Sequence, residues 1–561
     1  MNKLTYTSIL SLLILIVASC DVLNEEVVSD VTAETHFTTP SGFEDAVNGA
    51  YEPLRSFYGA EQGGNLTEYG TDLIQNAGHG GFHYMNQYNA GLNSEASPMQ
   101  TLWDNYYIAI NSANAAINRA SEIEDMDEGL KNTRLGEAHF LRAHYYFHLV
   151  EHFGPVHLTT EETIGVEIEA TRAPESEVYT QIVSDLETAI NNLPSDPSEQ
   201  EWGRATEPAA KMLLSQVLLT RGYKDFAESD DYSRAATLAE SVINDYNFRL
   251  LDDYEMIFDN DNEENEEIIW AVQYGKDPLI NGPGNRSHLY YRPWYEVYGG
   301  DGSGAGLVRS LEPGYGRPWI RFKMTPFALQ NYRPIDQDSR YKKSFQDTWY
   351  YNDAASLPTD EYPNVAVGDT AIYIDPDMTA QEVEQNQDSA PYYLMSWATA
   401  HTNENINMFP SLKKHDDFQR PSVNEAAGNK DYIVYRLAEA YLFAAEARYQ
   451  MGELPAAADH INAVRERAAW PGEEANITAN TLANLQNEGL DYILDERGRE
   501  FYGEQKRWIT LKRTGKLLER VRNYAGLQES RDNIEERHLL RPIPATQINR
   551  TDGGYEQNPG Y

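Results

Sequence analysis

Five charged residues recur at close spacing near the end of the chain: Glu496, Arg497, Glu500, Glu504 and Arg507. Paired carboxylates are what acid–base catalysis needs, and a glycoside hydrolase sets two of them at a fixed separation across a cleft. At three- and four-residue steps on a helix, however, opposite charges reach each other or a neighbouring helix, so this set is expected to be structural. His79 and His83 are four apart, but they lie in a glycine-rich run without a third ligand and read as loop residues. The run DNDNEENEE (259–267) alternates acids as a calcium loop does. It lacks the glycine that the turn of such a loop requires, and it reads as a solvated acidic turn. No G-x-S-x-G, H-E-x-x-H or Walker sequence occurs. The chain is read as a binding protein, with no catalytic residue, metal or cofactor expected.

The chemistry that remains is recognition by loops. Two stretches lack sustained helical periodicity, residues 63–89 and 276–428, and long irregular segments inside a compact protein usually serve function. The first carries Asp72 and Asn76, short polar side chains suited to hydroxyl groups. The second carries Arg292, Trp294, Tyr295, Trp319, Trp349 and Tyr350 amid glycines and prolines. Sugar rings present flat C–H faces that stack on Trp and Tyr, while Asn, Asp and Arg bond the hydroxyls. These eight residues are the candidate ligand contacts, although more than half of the region's aromatics are expected to fill a second small core. A peptide is the alternative ligand, and it would ask for an exposed sheet edge or apolar pockets.

The formal net charge of −43 argues against nucleic acid and anionic membrane surfaces as partners. It makes a strongly anionic polysaccharide less natural, with Arg286, Arg292 and Arg309 as a local exception.

The elements that must position these loops are helices. In residues 431–469, Val434, Leu437, Ala438, Tyr441, Leu442 and Ala445 recur at helical steps; Gly452 breaks the pattern, and Ala457, Ile461, Val464 and Ala468 stripe a second helix opening at Pro455. Two antiparallel helices with small residues where they cross make a tetratricopeptide-like hairpin, which cannot bury its face alone. Companions are predicted near 43–51, 102–123, 134–152, 178–193, 208–221 and 233–243, and a strand near 268–274. The 561 residues, 41% hydrophobic and 24% charged, then form a leader (1–19), a tether (20–40) and one mainly α domain (41–561). Its helical repeats fall at about 41–250 and 430–525, and its irregular binding part at about 260–428.

The chain opens MNKLTYTSILSLLILIVASC, a basic residue and then an apolar run too short to span a membrane comfortably. It ends at Cys20, the single cysteine, after small residues. This is the pattern of a bacterial lipobox, with cleavage before Cys20 and acylation of it. Several acyl chains at ~0.8 kcal/mol per buried CH₂ would hold the protein to a membrane.

Residues 490–517 (LDYILDERGREFYGEQKRWITLKRTGKL) and 538–561 (HLLRPIPATQINRTDGGYEQNPGY) resemble the C-terminal signature of the RagB/SusD family of outer-membrane lipoproteins. The family's "ER…E…E…R" pattern falls on Glu496, Arg497, Glu500, Glu504 and Arg507, and its "PIP…QNPGY" on residues 542–544 and 557–561. Residues 136–156, 203–219 and 436–447 fit in the right order, whereas Trp508, Thr510 and Lys512 stand where the family more often has Asp-Leu-Arg. The resemblance implies a tetratricopeptide-based fold with an irregular ligand-binding half. It also implies a cell-surface receptor in the outer membrane that hands oligo- or polysaccharide to a SusC-like, TonB-dependent transporter. In this family the ligand can also be a peptide.

Overall fold

A computed structural model describes residues 36–277, 279–297, 306–360, 362–402 and 405–561. Cys20, the leader and most of the tether lie outside the described residues.

Helix α1 (Pro40–Tyr51) begins where the Thr39 hydroxyl accepts from the Gly42 N–H at 3.1 Å, and it buries Phe43, Ala46, Val47 and Ala50. It packs on α2 (Ser97–Arg119), which packs on α3 (Glu128–Phe153). Asp127 caps α3 by accepting from the Leu130 N–H, and the helix stops at Gly154, whose φ of +71° precedes Pro155. Then α4 (Glu175–Asn192), α5 (Glu207–Arg221) and α6 (Asp231–Asn244) follow, each packed on the one before. The array resumes almost two hundred residues later with α7 (Leu437–Gln450) against α6, and α8 (Leu454–Ala468) against α7. Ala444, Ala445 and Ala447 on α7 and Ala457 on α8 are fully buried, which lets the helices approach closely. The molecule is mainly helical, and the predicted helices stand within a few residues of their expected limits.

Two expectations change. Val434 belongs to a strand rather than to the hairpin helix. That strand, β9 (Tyr432–Arg436), pairs antiparallel with β2 (Ile268–Val272), the strand the sequence predicts. The Glu496-to-Arg507 set does not sit on one helix either. Glu496, Arg497 and Glu500 are on α9 (Leu490–Glu500), Glu504 lies in the following turn, and Arg507 opens α10 (Arg507–Arg513). A short α11 (Leu517–Tyr524) comes next.

That charged set is the seam between the array and the irregular part. Arg340 and Arg436 reach it from elsewhere in the chain and are completely buried. Arg340 Nη1 donates to Glu496 at 2.7 Å and Glu500 at 2.9 Å, and Arg436 holds Glu267, Glu500 and Glu504 at 2.5–3.0 Å. Lys414 adds Glu504 at 2.6 Å, and Arg497 bonds Glu439 on α7 at 2.8 Å. Burial alone would raise the carboxyls of Glu500 and Glu504; the surrounding cations override it and hold both at about 2. These are structural ion pairs, as expected, although their partners come from distant parts of the chain rather than from the next helical turn.

The irregular part is threaded by short strands: β1 (Ile74–Asn76) with β3 (Phe322–Met324), β4 (Phe345–Gln346) with β8 (Ser411–Leu412), and β5 (Thr348–Tyr350), β6 (Thr370–Asp375) and β7 (Tyr393–Ser396) in a three-stranded sheet. At the C-terminus, Asn558 Nδ2 donates to the carbonyls of Phe153 at 3.0 Å and Arg541 at 2.7 Å, tying the last segment to the end of α3. Among the described residues no helix is long and apolar enough to cross a membrane.

Candidate functional site

The β1–β3 ladder brings the two irregular stretches together, with Ile74 opposite Met324 and Asn76 opposite Phe322. Beyond its end the Ala77 N–H donates to Arg321 O (2.8 Å) and the His79 N–H to Ile320 O (3.0 Å). Trp294 is tied in through its N–H to Asn407 O, and Trp319 through its N–H to Leu289 O, both at 2.8 Å. Gly78 permits this convergence, because a Cβ there would come within 2.4 Å of Asn407 Oδ1.

On this frame stand two half-buried indoles. Trp294 rests on the buried Ala77, Ile320 and Phe409, with the exposed His79 ring at 5.9 Å between centroids. Trp319 lies 5.9 Å from the Tyr290 ring, and the guanidiniums of Arg321 and Arg317 stand 5.3 and 5.9 Å from its centroid. Arg321 is itself fixed by Glu61 at 2.9 Å and by the Trp319 carbonyl at 2.8 Å. Each indole is half-buried, Trp294 beside the His79 ring and Trp319 beside two guanidiniums, and such a surface can stack a flat apolar ring while neighbouring N–H groups bond its polar edge.

The other expected contacts are placed differently. Asp72 is completely buried: Arg507 donates to both its oxygens (2.8 and 2.6 Å) and Arg520 to Oδ2 (2.6 Å). Burial would raise its carboxyl, but the two arginines hold it at about 2, and it has no surface to offer a ligand. Tyr295 and Trp349 are also fully buried and stacked at 6.2 Å, so as stacking platforms they are corrected to core residues. Their polar atoms brace one loop: Tyr295 donates to the carbonyls of Tyr315 (2.5 Å) and Gly316 (3.1 Å), and Trp349 Nε1 to that of Gly314 (3.3 Å). Arg292 is buried and ion-paired with Asp416. Asn76 is 9% exposed, accepts from Asn86 at 2.9 Å, and lines a recess with Gln87, Lys323 and Ile406. Tyr350 is 48% exposed on β5.

Trp294 and Trp319 are thus held on neighbouring backbone, with their side chains on separate hydrophobic clusters, whereas Asp72, Arg292, Tyr295 and Trp349 are buried. Sequence reasoning missed His79, Arg317, Arg321 and Asn407. The run Arg-Pro-Trp-Ile-Arg at 317–321 was a signal for two of them, since it flanks one indole with cations. No cluster of three or more His, Cys, Asp or Glu among the described residues is arranged to hold a metal.

Residues 266–561 match the model of the SusD family, and residues 24–219 match a family described as starch-binding associating with outer membrane. The chain is 28% identical to SusD-like protein P2 of Formosa agariphila over 100% of both chains. It is 24% identical to the starch-binding protein SusD of Bacteroides thetaiotaomicron, covering 78% of this chain and 75% of that one. Among solved structures, a laminarin binding SusD-like protein superposes with a TM-score of 0.66 at 22% identity, covering 93% of this chain and 100% of its own. A SusD homolog from Bacteroides thetaiotaomicron superposes with a TM-score of 0.70 at 20% identity, over 95% and 99%. At these identities the superpositions speak for the fold.

Proposed function

This chain belongs to the SusD family, and from that premise we propose that it is a cell-surface glycan-binding lipoprotein. It captures oligo- or polysaccharide at the outer membrane and delivers it to a SusC-like, TonB-dependent transporter, held to the membrane by acylated Cys20. It is a receptor and not an enzyme. The observation that carries the binding role is the presence of two half-buried indoles, Trp294 beside His79 and Trp319 beside Arg317 and Arg321, each held by a backbone hydrogen bond. Aromatic surface with N–H donors at its border suits the amphipathic faces of sugars better than it suits an extended peptide, which would add to a sheet edge. The names of two relatives, starch-binding and laminarin binding, support a glycan as the ligand class.

Titration calorimetry against a panel that includes laminarin and starch oligosaccharides tests this reading. Stacking beyond simple burial is worth about 0.5–1.5 kcal/mol per aromatic contact, so Trp294→Ala and Trp319→Ala should each weaken binding roughly two- to tenfold with little change in Tm. Normal binding by both variants would remove the site. Co-purification of a large β-barrel transporter from gently solubilised membranes tests the partner, and Cys20→Ala should release the protein from the outer-membrane fraction.

A further inference from the structure

A groove of about 800 Å³ opens on the helical array, and none of the residues placed around the two indoles lines it. Tyr107 and Ile108 of α2 border it, with His157 and Thr159 on one arm of a splayed loop and Val166 and Ala170 on the other. The arms meet where the Ala173 N–H donates to Val156 O at 2.8 Å, and then they part. Tyr146 on α3 holds the outgoing arm, its hydroxyl donating to Thr159 O at 2.7 Å and accepting from the Thr159 N–H at 2.8 Å. The returning arm is held elsewhere. Asn111 Oδ1 accepts from the Thr163 N–H at 2.7 Å, and the Asp552 N–H donates to Ile168 O at 2.8 Å. Gly165, at φ +87°, turns the chain into this arm, which then runs from Val166 to Arg172 without helix, turn or bend.

Its sequence, Val166-Glu167-Ile168-Glu169-Ala170-Thr171, alternates apolar and polar residues as a strand with one covered face does. Nothing in the described residues covers it. Val166 is 93% exposed, Ile164 69% and Ile168 52%, and Ile108 across the groove is 60% exposed. Among the described residues, no backbone N–H from Ile164 to Thr171 has an acceptor within the chain. On the edge that faces the other arm, Ala173 bonds Val156 and Thr171 O accepts from His157 Nδ1 at 3.3 Å. Further along the same edge, Glu167 and Glu169 keep their N–H and C=O groups free where the groove opens. An unpaired edge carrying exposed aliphatic side chains is a template for another strand.

Charge selects the occupant. Asp104, Glu167 and Glu169 line the groove and outnumber Arg550. Glu167 takes a 3.3 Å bond from the Thr163 hydroxyl and, like Glu169, has no cationic partner among the described residues. A second copy of this chain laid antiparallel on the edge would set glutamate against glutamate, which is destabilising. The exposed wall is aliphatic rather than aromatic, so it offers a sugar little to stack on. We propose that this groove docks an extended segment of a partner protein in which apolar residues alternate with lysine or arginine. The segment adds as a strand to the 166–172 edge, its apolar residues beside Val166, Ile168 and Ala170 and its cations beside Glu167 and Glu169. This surface goes beyond the glycan reading and does not depend on it.

The test titrates the whole protein with the labelled peptide KVKVKVK at physiological salt, beside EVEVEVE and a KVKVKVK that is N-methylated at alternate residues. KVKVKVK should bind at least about tenfold tighter than either control, and hydrogen exchange across 164–171 should slow when it is bound. Val166→Thr combined with Ile168→Thr keeps the side-chain shape at two exposed positions, so Tm should hold while affinity falls roughly tenfold. Glu167→Gln combined with Glu169→Gln should bring KVKVKVK and a neutral TVTVTVT within about twofold of each other. Unchanged exchange across 164–171 at millimolar KVKVKVK overturns the proposal. Equal binding of the N-methylated peptide does so too, since it would show charge attraction without strand pairing. Protection of the same run by laminarin oligosaccharide in place of peptide would make the groove a glycan site. Protection that grows with protein concentration alone would assign it to a second copy of the chain, and either result overturns the partner segment.

Discussion

The helical array and the irregular part use the same side chains under different rules. On α7 and α8 a residue's fate follows from its place in a local period: Ala438, Leu442, Ala445, Ala457 and Ile461 are all buried, as their spacing requires. In the irregular part, position along the chain decides little. Trp319 and Trp349 both lie in runs without helical period, yet Trp319 is half-buried on a face and Trp349 is sealed over Gly314. What separates them is the partner each meets from elsewhere in the chain. Irregular structure of this kind is a core with the opposite bookkeeping, built from long-range contacts first and local pattern second.

The largest break in that comparison should come at the seam. Arg436→Met leaves Glu267, Glu500 and Glu504 buried without their shared cation, and removal of one partner of a buried pair costs about 3–5 kcal/mol. Urea unfolding should show that loss; a change under about 1 kcal/mol would mean the carboxylates are neutralised otherwise.

Trp349→Ala should follow closely, at about 3–5 kcal/mol, because a large buried aromatic is removed from a packed site. The same substitution at Trp319 should change stability far less while reducing binding, so the pair separates platform from core on one instrument. Equal stability losses at both positions would collapse the distinction.

Acid should weaken both regions, by a moderate amount. Burial presses His148 on α3 down to about 3, and in the irregular part His401 to about 3 and His415 to about 4. Their folded values lie below the usual 6.5, so the unfolded chain binds more protons between the two. The contribution is complete above about pH 6.5 and is lost as pH falls towards 3–4. Glu68 opposes this, since burial raises its carboxyl to about 8 and the folded state keeps its proton longer. The net expectation is a Tm that falls steadily from pH 7 to pH 5; a flat profile would show that the histidines are solvated. Smallest of all, Tyr350→Ala on the exposed end of β5 should stay within about 0.5 kcal/mol of wild type.

The sequence was readable where neighbours in the chain are neighbours in space. Helix limits, the hairpin break at Gly452 and the strand at 268–272 follow from local steps and turn chemistry, whereas the Glu496 set is structural as expected but finds its partners, Arg340 and Arg436, far along the chain. Val434 misled because β9 runs directly into α7, and a strand's apolar residue fell by chance on the helical step. Asp72 misled because nothing nearby announces Arg507 and Arg520, more than four hundred positions downstream. Trp294 and Trp319 were legible as candidates by residue type. Their companions His79, Arg321 and Asn407 became visible only once the β1–β3 ladder joined two distant stretches.

That ladder also sets an order of events. The Tyr69 hydroxyl donates to Arg321 O across 252 positions of chain, and closing so long a loop must be offset before its contacts stabilise anything. Local helical hairpins are therefore expected to form first, and the contacts around the two indoles among the last. A chain that is still folding, or one clipped between the two stretches, is therefore expected to lack the assembled indole surroundings that the proposed site needs. At the proposed site, binding would then report a finished molecule.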